Sequence, residues 1–136
     1  MRTADKKIMK ILIIDDEISA ATTLKALLMS QDSLEIDIAY NGKEGLAKMA
    51  AAAPPYDLLI LDVMMPDFSG LDVCKAMHAD DKLKNIPIIL DSALPIASKE
   101  LQGLLSEFQA LNPIKGVLEK PFVLEDLLAA INAAVK

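Results

Sequence analysis

The most constraining feature of this 136-residue chain is an alternation between two kinds of segment. Five short apolar runs, at residues 8–14, 34–40, 57–61, 86–90 and 116–119, are separated by longer stretches with helical spacing. Ile11-Leu12-Ile13-Ile14 and Leu58-Leu59-Ile60-Leu61 are apolar at every position. That is the pattern of a strand covered on both faces. Residues 18–29 carry Ala20, Thr23, Leu24, Leu27 and Leu28 along one helical face. Residues 43–53 are rich in alanine and stop at Pro54-Pro55, which cannot continue a helix. Segments 71–79, 98–111 and 123–135 complete the helical set, and Asn41-Gly42 and Ser69-Gly70 mark turns or helix starts. A β-α unit repeated five times predicts an α/β fold: a five-stranded parallel sheet with helices on both faces, doubly wound.

Composition narrows the class. Twenty Asp and Glu against 14 Lys and Arg give a net charge of −6, and the longest basic run is Lys6-Lys7, so the chain does not read as a nucleic-acid surface. The single Cys74 cannot form an internal disulfide and fits a reducing compartment. No apolar run approaches the length of a membrane span, and residues 1–7 read as a polar leader without a signal-peptide core. The expectation is one cytoplasmic domain over residues 8–136, with no length left for an output domain.

In a parallel sheet of this kind, ligands gather at the carboxyl ends of the strands. The residues found there are Asp15-Asp16-Glu17, Asp62, Ser92 and Lys120-Pro121, each group following a different strand. Taken alone, Asp16 or Glu17 also suits a cap on the next helix. Asp15, Asp16 and Asp62 with Ser92 and Lys120 make three carboxylates, a hydroxyl and a lysine at one sheet edge. Two carboxylates about 4 Å apart repel by roughly 4 kcal/mol at an effective dielectric of 20, so a trio calls for a proton or a cation. Oxygen ligands in an open site favour a hard ion such as Mg²⁺, which also neutralises phosphoryl oxygens. The combination predicts a phosphoryl-binding site with a carboxylate available as nucleophile.

ILIIDDE at 11–17, DVMMPDFSG at 62–70, PIILDSA at 87–93 and KPF at 120–122 stand in the order found in two-component response-regulator receiver domains. The chain resembles that CheY-like family over about residues 8–136, and the resemblance implies its flavodoxin-like (βα)5 fold. It implies that Asp62 is the phosphoacceptor, attacking a phosphohistidine on a sensor histidine kinase or a histidine phosphotransfer protein. Asp16 is then the direct Mg²⁺ ligand and Asp15 a ligand through water, with Asp62 and the Met64 carbonyl completing the set. Lys120 pairs with Asp62 and then with the phosphoryl group. Ser92 supplies the hydroxyl that answers phosphorylation, and a cis Lys120–Pro121 bond is expected. Ile18 and Ala21 are expected on the outer side of the first helix, as a partner surface. Cys74 reads as a core residue and His78 as a solvated one.

Three departures from the family pattern stand out. Val117 occupies the position of a switching aromatic, so the readout is expected to depend less on that coupling. Asp91 replaces an apolar residue and, as a strand neighbour of Ser92, is expected to point away from the phosphoacceptor; it is then a costly buried carboxylate unless solvated or paired, with a role in altered switching as the alternative. The stretch from Ser92 to Lys120 is long, and its amphipathic helix reads as core packing or as an enlarged partner or dimer surface. Apolar Met64 and Leu94 offer nothing to orient an attacking water, which predicts a slowly lost phosphoryl group. The resemblance implies a signalling module that catalyses only its own phosphorylation and dephosphorylation, with a downstream protein or fused output domain as partner. Two alternatives are a phosphorylation-independent scaffold and a Mg²⁺-dependent aspartyl phosphatase. The second is disfavoured because Met64 stands where such hydrolases carry a general acid.

Overall fold

The structure, a computed structural model, describes residues 8–135. The polar leader at 1–7 lies outside the described residues. Strands β1 (Met9–Ile14), β2 (Leu34–Ala39), β3 (Leu58–Asp62), β4 (Ile88–Ser92) and β5 (Ile114–Glu119) alternate with helices α1 (Ile18–Leu28), α2 (Gly42–Ala51), α3 (Gly70–His78), α4 (Lys99–Leu111) and α5 (Leu124–Ala134). All four strand pairings are parallel, in the order β2-β1-β3-β4-β5. The order reverses between β1 and β3, so the carboxyl ends of those two strands flank the crevice where ligands collect in such sheets.

Strand alternation divides the core into two layers. Leu12, Ile14, Leu59, Leu61, Ile88 and Leu90 pack with α3 and α4 residues such as Val73, Met77, Leu105 and Phe108. Ile11, Ile13, Leu58, Ile60 and Ile89 pack with Leu24 and Leu28 of α1 and with Leu127 and Ile131 of α5. Continuous apolar runs are what this double coverage requires.

The boundaries differ from the sequence reading in an instructive way. β4 begins at Ile88 and runs through Asp91 to Ser92, two residues later than expected. Pro87 has no N–H to give to a ladder, and the polar pair Asp91-Ser92 still pairs with Leu118 and Glu119. β5 starts earlier, at Ile114, with a register irregularity beside Ile88 and Ile89. The leucines of α4 serve the core: Leu101, Leu105 and Phe108 are buried, and Leu104 and Leu111 pack against the same cluster. The apolar stripe of α4 is therefore not an exposed dimer surface. Cys74 is buried, and exposed His78 meets the Leu111 carbonyl at 2.7 Å through Nδ1. Two X–Pro bonds are cis, the expected Lys120–Pro121 and, unforeseen, Ala53–Pro54. Among the described residues no helix is long and apolar enough to cross a membrane.

Candidate functional site

The carboxyl ends of β1, β3, β4 and β5 bring Asp15, Asp62, Asp91 and Lys120 together. Asp15 follows β1, and its Oδ1 accepts the Glu17 N–H at 3.0 Å. Glu17 is the N-cap of α1 but makes no side-chain cap bond, so the acidic triplet is not spent on capping. Asp62 ends β3, and its Oδ1 accepts the Met64 N–H at 3.2 Å. Lys120 reaches back across the sheet from β5, donating to Asp15 Oδ2 at 3.0 Å and lying 3.8 Å from Asp62 Oδ2. Asp15 and Asp62 are buried, while Asp16 is exposed.

The loop after Asp62 is fixed at its far end. Ser69 caps α3 by accepting the Asp72 N–H at 3.2 Å, and Asp72 Oδ2 accepts the Ser69 N–H at 3.1 Å. This reciprocal capping box is spelled by Ser69-Gly70-Leu71-Asp72. Gly70 is required by space, since a Cβ there would lie 2.6 Å from the Asp62 carbonyl oxygen. Asp67 adopts a positive φ of 65°, a conformation aspartate tolerates better than most residues.

Electrostatics follow from burial. Burial raises the Asp62 pKa, Asp15 and Asp91 push it the same way, and Lys120 and the Met64 N–H oppose them, leaving it at about 8. Burial pulls Lys120 down, but Asp91, Asp15 and Asp62 outweigh it and hold its ammonium above the ordinary value. One oxygen each from Asp15, Asp16 and Asp62 lies within 4.8 Å of the others. Oxygen ligands about 2.1 Å from an octahedral Mg²⁺ are separated by roughly 3–4 Å, so small side-chain adjustments bring this trio into a shared ligand shell. The all-oxygen donor set and the open side at Asp16 suit a hard cation that keeps waters.

Ser92 is fully buried, and its hydroxyl is engaged with its own loop. It accepts the Leu94 N–H at 2.9 Å and donates to the Leu94 carbonyl at 3.3 Å. Val117 is half-buried against the α3–α4 layer of the core. Ile18 is 63% exposed and Met64 49% exposed at the same edge of the sheet. Ala21 is fully buried and corrects the expectation of an outward position. It shares the inner stripe of α1 with Leu24 and Leu28, at i, i+3 and i+7.

Asp91 requires the larger correction. It does not point away from Asp62, because Asp62 and Asp91 are direct register partners. Paired residues on neighbouring parallel strands project to one side of a sheet, and the alternation that separates Asp91 from Ser92 aligns it with Asp62. Nor is it solvated. It is only 2% exposed, and its Oδ1 has no hydrogen-bond partner among the described residues. Burial raises its pKa to about 7, with Lys120 lowering it and Asp15 raising it. Its place in the cluster is written in the register between two strands, which neither run displays by itself.

A family model described as the response regulator receiver domain matches residues 11–132. The chain is 34% identical over 127 residues to the response regulator ArlR of Staphylococcus saprophyticus, a match covering 93% of this chain and 52% of that protein. It is 33% identical over 128 residues to the response regulator MprA of Mycobacterium avium, covering 94% and 51%. The chain thus spans about half the length of these curated relatives, so an expectation about partners drawn from its length and acidity covers this segment only. Among solved structures, Vibrio cholerae chemotaxis protein CheY4 matches with a TM-score of 0.81 and 31% identity, over 93% of this chain and 98% of that one. The receiver domain of Francisella response regulator 1452 matches with a TM-score of 0.75 and 26% identity, over 93% and 96%. With the acidic crevice at the β1/β3 reversal and the lysine that spans it, these matches identify the chain as a member of the response-regulator receiver family, the phosphorylation-controlled part of two-component signalling.

Proposed function

We propose that Asp62 accepts a phosphoryl group from a phosphohistidine on a sensor histidine kinase or histidine phosphotransfer protein, in the cytoplasm. The observation that carries this reading is the convergence of Asp15, Asp16 and Asp62 oxygens within 4.8 Å, with Lys120 bonded across them. An Asp62 carboxylate oxygen forms the new bond to phosphorus as the phosphorus–nitrogen bond breaks. The electron pair returns to the imidazole nitrogen, which takes up a proton. Mg²⁺, held by Asp15, Asp16, Asp62 and the Met64 carbonyl, would offset charge on the phosphoryl oxygens. Lys120 keeps its ammonium beside Asp62 and turns to the added phosphoryl oxygens, a charge-assisted contact. Ser92 gives up its bond to the Leu94 carbonyl to donate to the same group.

The donor's route of approach has support in the exposed apolar residues. Ile18, Tyr40, Met64, Ile96 and Val123 are all exposed and all follow the carboxyl end of a strand. This apolar rim around a charged centre suits an amphipathic partner face, with Ile18 and not Ala21 as its α1 member. The response to phosphorylation is a changed protein-binding surface over α4, β5 and α5. With Val117 in place of an aromatic, that change runs through Ser92 and Lys120.

Incubation with acetyl phosphate or phosphoramidate and Mg²⁺, followed by intact-mass measurement, tests the reading. One phosphoryl adduct is expected, lost in Asp62→Asn. Rapid multiple turnover would point instead to a phosphatase, and absence of any adduct to a phosphorylation-independent scaffold. The same adduct is expected to persist for many minutes or longer, because Met64 and Leu94 cannot orient water. A half-life of seconds in Mg²⁺ would contradict that.

A further inference from the structure

Side chains fasten the segment that joins β4 to α4. Ser92, the last residue of β4, holds Leu94 at both backbone groups, accepting its N–H at 2.9 Å and donating to its carbonyl at 3.3 Å. Two residues on, Ile96 is held in the same way by two other side chains. Its N–H donates to Glu119 Oε1 at 2.9 Å, and its carbonyl accepts from Gln102 Nε2 at 2.6 Å. Glu119 ends β5 and is the register partner of Ser92, so the two side chains leave neighbouring strands on the same side of the sheet. The next residue, Lys120, donates its N–H to the Ser92 carbonyl at 2.7 Å.

Pro95 joins the two held residues. Its ring fixes its own φ and biases Leu94 toward extended conformations, so Leu94-Pro95-Ile96 moves as a stiff piece. The Ser92 hydroxyl has a single proton to donate, and the Leu94 carbonyl receives it. Donating that proton to a phosphoryl group on Asp62 means giving up the Leu94 carbonyl. The stiff segment passes any resulting shift of Leu94 on to Ile96, where the bond to Glu119 resists it.

We infer that Glu119 is a positioning residue for the phosphorylation of Asp62: its bond to Ile96 holds the β4–α4 segment, and through it the Ser92 hydroxyl, in the resting arrangement. This role rests on the proposed phosphoacceptor function of Asp62 and adds a residue outside the metal and phosphoryl ligands.

Glu119→Ala removes the bond. Glu119→Gln keeps an acceptor oxygen for the Ile96 N–H while losing the same charge, so the pair separates the bond from the charge. Amide hydrogen exchange, followed by NMR on the unphosphorylated full chain, reads the hold directly. In Glu119→Ala, exchange is expected to quicken at Leu94 as well as at Ile96, although the bond lost is that of Ile96 alone. Glu119→Gln is expected to exchange like wild type at both. Phosphorylation by phosphoramidate with Mg²⁺, followed by intact mass, reads the consequence. Glu119→Ala is expected to phosphorylate about fivefold faster than Glu119→Gln, the value of one ordinary hydrogen bond. In a Ser92→Ala background the two are expected to phosphorylate at equal rates. Faster exchange at Ile96 with Leu94 unchanged, equal rates with Ser92 in place, or the same difference without it would each overturn the assignment. Absence of an adduct from every chain, wild type included, would overturn the role of Asp62 and this one with it, a result distinct from the other three.

Discussion

A carboxylate at the end of a buried strand is an expensive residue, and Asp91 illustrates how the expense is shared. Its neighbours Asp15 and Asp62 repel it, burial disfavours its charge, and Lys120 offsets only part of this. The folded protein holds the Asp91 proton up to about pH 7, whereas an unfolded aspartate releases it near pH 4. Protonation therefore favours the folded state, and the stability contributed through Asp91 falls as pH rises from about 4 to about 7. Asp91→Leu removes that loss and adds apolar surface on the strand face that carries Ile89. Urea unfolding is expected to find the variant about 1–3 kcal/mol more stable at neutral pH, with the gain shrinking toward pH 4. A variant less stable than wild type at neutral pH would mean that Asp91 has a binding partner in solution.

Elements set the angles at which these side chains meet. The Ser69–Asp72 capping box starts α3 immediately after the loop that carries Met64. Ser69→Ala is expected to cost about 1 kcal/mol of stability by chemical unfolding. Gly70→Ala is expected to cost more, because its methyl group would press on the Asp62 carbonyl from 2.6 Å and displace the end of β3 that carries Asp62. Accordingly, only the second substitution is expected to slow phosphorylation by acetyl phosphate. Phe108, fully buried on α4, gives a third value: Phe108→Ala is expected to lose about 3–5 kcal/mol. A loss well below that range would mean that α4 is loosely docked.

Much of this architecture is legible in the sequence, for a physical reason. Strands covered on both faces must be apolar throughout, so Ile11–Ile14 and Leu58–Leu61 announce themselves, and the residues just beyond them mark the ligand-binding edge. Asp15, Asp62 and Lys120 are found by that rule alone. What escapes it depends on pairing between segments. The orientation of Asp91 follows from its register with Asp62, and the burial of Ala21 from the rotation of α1 over the sheet. The late start of β4 reflects which N–H groups are available to a ladder. Single-segment periodicity contains none of these facts.

At the scale of the whole molecule, the proposed cation site would tie folding to cation concentration. A cation bound only by the folded chain stabilises it by mass action, about 1.4 kcal/mol at ten times the dissociation constant. Thermal unfolding is expected to shift upward by a few degrees in saturating Mg²⁺ and to return when EDTA is added. Asp16→Asn is expected to remove most of that shift, since the exposed Asp16 offers an oxygen to the proposed ion and adds little to the core. An unchanged response in that variant would exclude Asp16 from the ligand set.

The close approach of Gly70 to the end of β3 also gives the molecule a mechanical polarity. On the α3 side, the corner is riveted by backbone against backbone and by a double cap, so it has little slack. On the α4 side, Ile96 is held by exposed bonds, its N–H to Glu119 Oε1 at 2.9 Å and its carbonyl to Gln102 at 2.6 Å. A load applied at Asp62 meets a stiff abutment on one flank and a compliant one on the other. A displacement at Asp62 is therefore expected to travel outward through β4 and the bonds of Ile96, with the α2–α3 side as the frame against which it pushes.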